Sequence, residues 1–290
     1  MRAHLLPSQS PNVNKDQTGE SLMERPPLLP RTALTLAATA ALIAPAAVAY
    51  GTERSPQAPA ASWSLKWNPA SGASVASAFE GAEDDRADSH PGTTHIYPSQ
   101  GGFRTDMHYP RDVDTSTDRQ RNEVRGMKQD GSAVKILKNE TWRIQYQMYV
   151  PDTLDATTSF THIMQIKVGD VAAPLFTMSL HQHDNGPKVE IRTSDDDDNL
   201  TEAGAANMAP LQGAWSDVSV EVKAADSGAY ADWSVTTGGK EVASYKRTGL
   251  DLWRGKNYLR PKWGIYRSLN SSGLQTTYLL TRNFKAYKLQ

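Results

Sequence analysis

The chain has 290 residues, no cysteine, and 31 Lys and Arg against 32 Asp and Glu, a formal net charge of -1. Disulfides, a thiolate nucleophile and a Cys-ligated zinc are therefore excluded. The charge balance also argues against a general binder of nucleic acid or membrane surface, so an anionic ligand would have to meet a local cluster.

The first fifty residues do not read as fold. Arg25 and Arg31 precede an apolar, Ala-rich run at 32–49 that ends in Ala47-Val48-Ala49, the basic, apolar and small-residue order of a secretory signal peptide. Pro45 interrupts the run, leaving it short of the ~20 apolar residues of a membrane span. Residues 1–22 are polar and lie upstream of Met23, so they read as a mis-assigned start, with 23–49 the leader. A linker rich in Ala, Pro and Ser follows at 50–62, and one domain is expected over 63–290. After residue 49 the chain carries 27 Lys and Arg against 29 Asp and Glu. The expected product is secreted and monomeric, with no nucleic-acid or membrane partner.

From there the pattern is short alternating segments separated by turn residues, with no amphipathic helix of ordinary length. The acidic cluster EGAEDD (80–85) lacks strand patterning and reads as a loop. RQRNEVRG (119–126) puts Arg119, Arg121, Glu123 and Arg125 on one face of a strand. TWRIQYQMYV (141–150) turns Trp142, Ile144, Tyr146 and Met148 one way and Arg143, Gln145, Gln147 and Tyr149 the other. HIMQIKVG (162–169) has Met164 and Ile166 inward, and Gln165 and Lys167 outward. LFTMSLHQH (175–183) alternates Phe176, Met178 and Leu180 with Thr177, Ser179, His181 and His183. The two histidines share a face, as metal ligands would, but no third ligand is evident and no metal is assigned. The run DDDDN (195–199) offers oxygen atoms of the kind Ca²⁺ takes. Consecutive aspartates at a turn more often keep a loop soluble, and no cofactor is expected. DVSVEVK (217–223) and ADWSVTT (231–237) repeat the period-two pattern. PKWGIYRS (261–268) sets Trp263 and Ile265 against Lys262, Gly264, Tyr266 and Ser268.

Many short strands with one apolar face each imply an all-β, antiparallel two-sheet sandwich of the jelly-roll type, with a closed barrel as the alternative. The outward faces carry long hydrogen-bonding side chains, including Arg, Glu, Gln, Lys, His and Tyr. On neighbouring strands of a curved sheet they would line a concave groove suited to a polar chain.

RNEVR, HIMQIK and PKWGIYRS together resemble the active-site strands of the jelly-roll polysaccharide lyases. HIMQIK and KWGIYRSLN are most similar to the glucuronan lyases of polysaccharide lyase family 20, and more distantly to alginate lyases and heparin lyase I-like proteins. The resemblance spans about residues 119–288. It implies a concanavalin-like jelly-roll fold and β-elimination on a glucuronan-like, uronate-containing polysaccharide. Carried over, it makes Arg121, Glu123 and Arg125 the first-strand residues of the groove, Gln165 a holder of the uronate carboxylate, and Lys262 and Tyr266 the pair on the last strand; Tyr266, Lys262, Gln165, Lys167 and Arg125 are the expected catalytic residues. Arg121, Glu123, Arg143, Gln145, His162, His181, His183 and Arg267 are expected to bind substrate. One position departs from the alginate-lyase pattern: Lys167 stands where the imidazole of Q-I-H would be. His162 falls on the opposite face of a regular strand and replaces that imidazole only if a bulge re-aims it. Gly264 is expected to leave room for a sugar ring. The competing readings are a non-catalytic carbohydrate-binding module, with Tyr149 and Tyr266 as stacking platforms, and a glycoside hydrolase on the same fold. The latter needs a carboxylate pair, and no strand displays one.

Overall fold

The computed structural model describes residues 61–169, 173–194, 199–255 and 257–290. The leader, most of the linker and the aspartates of the 195–199 run lie outside the described residues. In chain order the strands are β1 (Trp63–Trp67), β2 (Gly81–Asp84), β3 (Ile96–Ser99), β4 (Gly102–Met107), β5 (Arg119–Arg125), β6 (Met127–Gln129), β7 (Ser132–Val134), β8 (Thr141–Tyr149) and β9 (Thr161–Val168). They continue with β10 (Pro174–His183), β11 (Gly186–Ser194), β12 (Leu200–Asn207), β13 (Trp215–Lys223), β14 (Ala229–Thr237), β15 (Lys240–Leu250), β16 (Leu259–Ser268) and β17 (Thr277–Leu289). The helices among the described residues are one turn at Val75–Ala78 and a 3₁₀ turn at Ala209–Leu211.

Two antiparallel sheets face each other as a jelly-roll sandwich. One runs β15-β14-β13-β8-β17-β4-β3, with β1 pairing β17; the other runs β12-β11-β10-β9-β16-β5-β2. Alternation decides which residues fill the space between them. Trp142, Ile144, Tyr146 and Met148 of β8 meet Met164 and Ile166 of β9 and Trp263 and Ile265 of β16 in one buried cluster. Its aromatic centre stacks Trp67 on Trp263 at 5.5 Å, with Phe284 edge-on to Trp263 at 5.1 Å. This apolar layer is what holds the second sheet's other face, with its polar side chains, in a fixed register.

The acidic stretch 80–85 is not the loop its composition suggests. Residues 81–84 form β2, a short edge strand paired with β5, Glu83 opposite Glu123. Gly264 also differs from expectation. Its φ is +142°, and a Cβ there would collide with the carbonyl oxygen of Asn122 and lie 2.8 Å from Glu123 Cα. The glycine lets β16 close onto the β5 backbone and does not open space for a sugar. Gly264→Ala should cost at least about 2 kcal/mol in urea unfolding, because the backbone is strained and the opposing atoms are main chain. A parental unfolding midpoint would mean that the β5–β16 approach is looser than drawn.

Candidate active site

The registers of β2, β5, β16 and β9 bring the polar face together. Lys262 lies opposite Arg125 on β5 and Gln165 on β9, Gly264 opposite Glu123, and Tyr266 opposite Arg121 and His162. A buried ion cluster occupies the centre. The Lys262 ammonium donates to Glu83 Oε2 at 2.7 Å and to Glu123 Oε2 at 3.2 Å. Gln165 Nε2 donates to Glu123 Oε1 at 2.6 Å, and Arg121 donates to Glu83 at 2.6 Å while standing 3.0 Å from Asp114. Burial alone would raise the Glu83 carboxyl, but Lys262 and Arg121 together outweigh it and hold it down at about 2.

Beside this cluster a cavity of about 170 Å³ is lined by Arg86, Arg121, Arg125, Lys167, Arg260 and Lys262, against Glu83 as the one carboxylate. Burial, with the charges of Lys262 and Arg121 added, pulls the Lys167 ammonium down to about 8. The Arg125 guanidinium is 3.6 Å from Glu83 and 41% exposed, so its charge is available at the mouth. A low-dielectric recess with this excess of cations favours an anion, and fixed guanidinium forks favour a carboxylate.

About four residues farther along β16, roughly 13 Å at the rise of a strand, lies a second group. Tyr266 is 9% exposed, with the Arg121 guanidinium 3.8 Å above its ring and Arg119 donating to its hydroxyl at 2.7 Å. His162 lies against it, ring centres 5.7 Å apart. The bulge that the sequence left as a condition is present. Trp263 pairs with Met164 but Tyr266 with His162, and Met178 pairs with Met164 but Ser179 with His162. Ile163 and Met164 are both buried in the core, and the alternation changes phase there. His162 is thereby turned into the groove, its Nδ1 2.7 Å from Ser179 Oγ. The tautomer that donates Nδ1–H to Ser179 leaves the Nε2 lone pair free. Burial first, with Arg192, Arg121 and Lys167 adding, lowers the imidazole to about 3, so it is neutral at physiological pH.

Other expected groove residues stand elsewhere. Arg143 and Gln145 are on β8 in the opposite sheet; Arg143 pairs with Glu221 at 2.8 Å and covers Trp63. Gln145 lines a larger recess of about 780 Å³ with Gln147, Asp217 and Lys285, a place with one carboxylate and one ammonium and no cationic cluster. Tyr149, on that sheet too, packs against Trp215. Arg267 points between the sheets, 1% exposed, and donates to Gln120 at 2.9 Å. The alternation along β16 already put it on the Trp263 side. Glu123 is on the groove face but fully buried, an organiser of Lys262 and Gln165 with no surface left for a sugar. Gln165, at 2%, is similarly enclosed, and its amide nitrogen is taken. Tyr266 is covered by Arg121 and is no stacking platform. His181 and His183 do face the groove, and Glu190 joins them: His183 Nε2 is 2.8 Å and His181 Nδ1 3.4 Å from it, while Arg192 donates to its other oxygen at 2.7 Å. Burial would raise Glu190, but the bonds from Arg192 and His183 outweigh it and keep the carboxyl low.

Glu83, Arg86, Arg119 and Arg260 were not foreseen as site residues. Arg119 was on the correct face of its strand; Glu83 was hidden in an edge strand too short and too acidic to show alternation.

These shifts contribute to the acid stability, beside the lowered carboxyls of Asp85, Glu140 and Glu190. His162 and Glu83 both have folded values below their unfolded ones, so the unfolded chain binds the extra proton as pH falls and stability is lost. The melting temperature should decline first between pH 6.5 and about 3, through His162, and more steeply below 4.5 as Glu83 is drawn toward protonation. His162→Gln should remove the upper part of the decline and leave the lower. A flat profile from pH 7 to 5 in both proteins would contradict the buried, neutral histidine.

No protein-family profile matches the chain, and no curated protein does. Solved structures do match. The alginate lyase A1-II', a member of polysaccharide lyase family 7, superposes with a TM-score of 0.51 at 14% identity, over 75% of this chain and 100% of that one. The alginate lyase Aly36B gives 0.47 at 12% identity over 76% and 95%, and an alginate lyase of Pseudomonas aeruginosa 0.46 at 13% over 67% and 86%. At these identities the likeness to the first of them establishes the jelly-roll fold.

Proposed function

We propose that this chain is a secreted polysaccharide lyase that cleaves a uronate-containing, glucuronan-like polymer by β-elimination. The observation that carries the reading is a cationic recess on the same groove face as a neutral imidazole and a phenol. The likeness in fold to structures of alginate lyases is consistent with it. Residues 23–49 serve as the leader, and 63–290 as the catalytic domain.

The reaction removes the C5 proton of a uronate, forms the C4–C5 double bond and breaks the bond from C4 to the glycosidic oxygen. The C5 proton is poorly acidic because negative charge develops beside a carboxylate. Arg121, whose guanidinium lies 3.8 Å above the Tyr266 ring, neutralises that carboxylate, and charge-stabilising donors fixed in advance are usually the largest catalytic contribution. Lys167 and Arg125, farther along the groove, hold the carboxylate of another uronate of the same polymer. Lys262 and Gln165 act by holding Glu83 and Glu123, which in turn position Arg121. The neutral Nε2 of His162 accepts the C5 proton. The Tyr266 hydroxyl, oriented by Arg119, gives its proton to the departing oxygen. This explains why the chain tolerates Lys167 at the position where the resemblance puts an imidazole: the base has moved five residues back along the same strand. His181 and His183 extend the groove as sugar contacts.

A hydrolase on the same fold would need a carboxylic acid with a raised pKa. Glu83 and Glu123 do pair across β2 and β5, but Glu83 is held near 2 and Glu123 is sealed from solvent.

Three measurements bear on the proposal. With glucuronan as substrate, Tyr266→Phe and His162→Ala should each lower formation of the ultraviolet-absorbing unsaturated product by at least ~10²-fold at unchanged fold. Near-parental turnover in either folded variant removes that residue from the mechanism. Arg125→Ala should weaken uronate oligomers and leave neutral glucans unaffected. Uronate affinity in the parent should fall as pH rises through about 8, where Lys167 loses its charge, and Lys167→Met should flatten that limb. Equal affinity for neutral and anionic oligomers would overturn the carboxylate recess.

A further inference from the structure

Away from the groove, at the margin where the loop after β2 meets the loop after β4, three imidazoles converge on one carboxylate. Asp112 Oδ1 lies 3.0 Å from His90 Nδ1 and 2.9 Å from His95 Nε2, and its Oδ2 lies 3.0 Å from His108 Nδ1. His90 Nδ1 and His95 Nε2 are themselves 3.3 Å apart, and all four ligand atoms fall within 4.8 Å of one another. His95 and Asp112 are fully buried. We propose that His90, His95, His108 and Asp112 form a binding site for a divalent transition metal, zinc in the first place, which clips the two loops together.

Four ligands about 2.0–2.1 Å from a tetrahedral zinc are separated from one another by about 3.3 Å. The His90–His95 separation equals that edge, and the distances of these two nitrogens from Asp112 Oδ1 lie just below it, while His108 Nδ1 meets the other oxygen of the same carboxylate. The surroundings also suit such a ligand set. Asp84 sits against His95 Nδ1, so with Nε2 turned to a metal that carboxylate would orient the histidine from behind. Asp112 accepts from the His108 main chain at 2.6 Å and from Asn122 at 3.2 Å, which fixes its carboxylate among the three imidazoles.

Asp112 holds φ +58°, a left-handed value for a residue with a side chain. Ser89 Oγ accepts from Val113 N at 2.7 Å, and Asp85 accepts from His90 N at 2.6 Å. The two loops are thus laced so that the three histidines and the aspartate point to one place. The segment leads directly to the groove. Asp112 O accepts from Arg121 N at 3.2 Å, and Asp114 lies 3.0 Å from Arg121 Nε.

The test is on the mature, folded protein, stripped with a chelator, dialysed and titrated with Zn²⁺. Expected are one zinc per chain by elemental analysis, a rise in melting temperature of several degrees on loading, and, with Co²⁺ as the probe, the intense visible bands of a tetrahedral site. His108→Ala, at the more exposed ligand, should remove the thermal shift. Asp84→Asn keeps all four ligands and should weaken zinc by about 10- to 100-fold. A stripped parent that stays folded by circular dichroism and takes up no stoichiometric zinc overturns the proposal, as does an unchanged thermal shift in His108→Ala. Zinc readouts are independent of lyase turnover, so this site stands or falls apart from the proposed reaction.

Discussion

A lysine ammonium cannot be left alone in a protein interior, and the second sheet is arranged around that constraint. Lys262 is 5% exposed and shared between Glu83 and Glu123. Removing either carboxylate would leave a charge with neither water nor a sufficient partner, which costs far more than the pair gains over an apolar substitute. The three residues come from β16, β2 and β5, and Gln165 of β9 donates to Glu123, so four strands are held in one register by a single set of charges. The recess beside it inherits its sign from this arrangement. With Glu123 engaged by Lys262 and Gln165, and Glu83 shared among Lys262, Arg121 and Arg125, cations outnumber carboxylates at the recess.

The same economy separates two chemistries that jelly rolls can host. A facing pair of glutamates would suggest acid–base hydrolysis if distance were the criterion. Environment decides otherwise, since the lysine and arginine that make the pair possible also keep Glu83 ionised. In the proposed reaction, proton transfer falls instead to an imidazole kept neutral by burial and to the Tyr266 hydroxyl, which accepts from Arg119.

Most of the fold was legible because period-two alternation is a strong signal in strands with one dry face. Trp263 and Ile265 against Lys262 and Tyr266, and Met164 and Ile166 against Gln165 and Lys167, fall as the pattern requires. Where legibility failed, the physical reason is specific. β2 is a four-residue edge strand, so its pairing with β5 is visible only in three dimensions. Alternation says which face of its own strand a residue takes but not which sheet the strand joins; Arg143 and Gln145 were correctly outward and on the wrong sheet. Arg267 was carried along by its motif although parity put it inside. His90, His95, His108 and Asp112 lie in loops, at spacings that no short helix or hairpin would bring together, and only the lacing of the two loops does so.

The bulge in β9 separates residue identity from residue position. Relative to β10 the strand carries one extra residue beside Met164, while β16 carries one extra residue relative to β9 at the same level, and this local change of register turns the imidazole of His162 from the core to the groove. Seen as a mutational event, an insertion or deletion of a single codon here exchanges the two faces of everything upstream in the strand. A lineage can therefore move an imidazole between core and groove without ever substituting a histidine, and a comparison that aligns such chains column by column will report the groove histidine as lost.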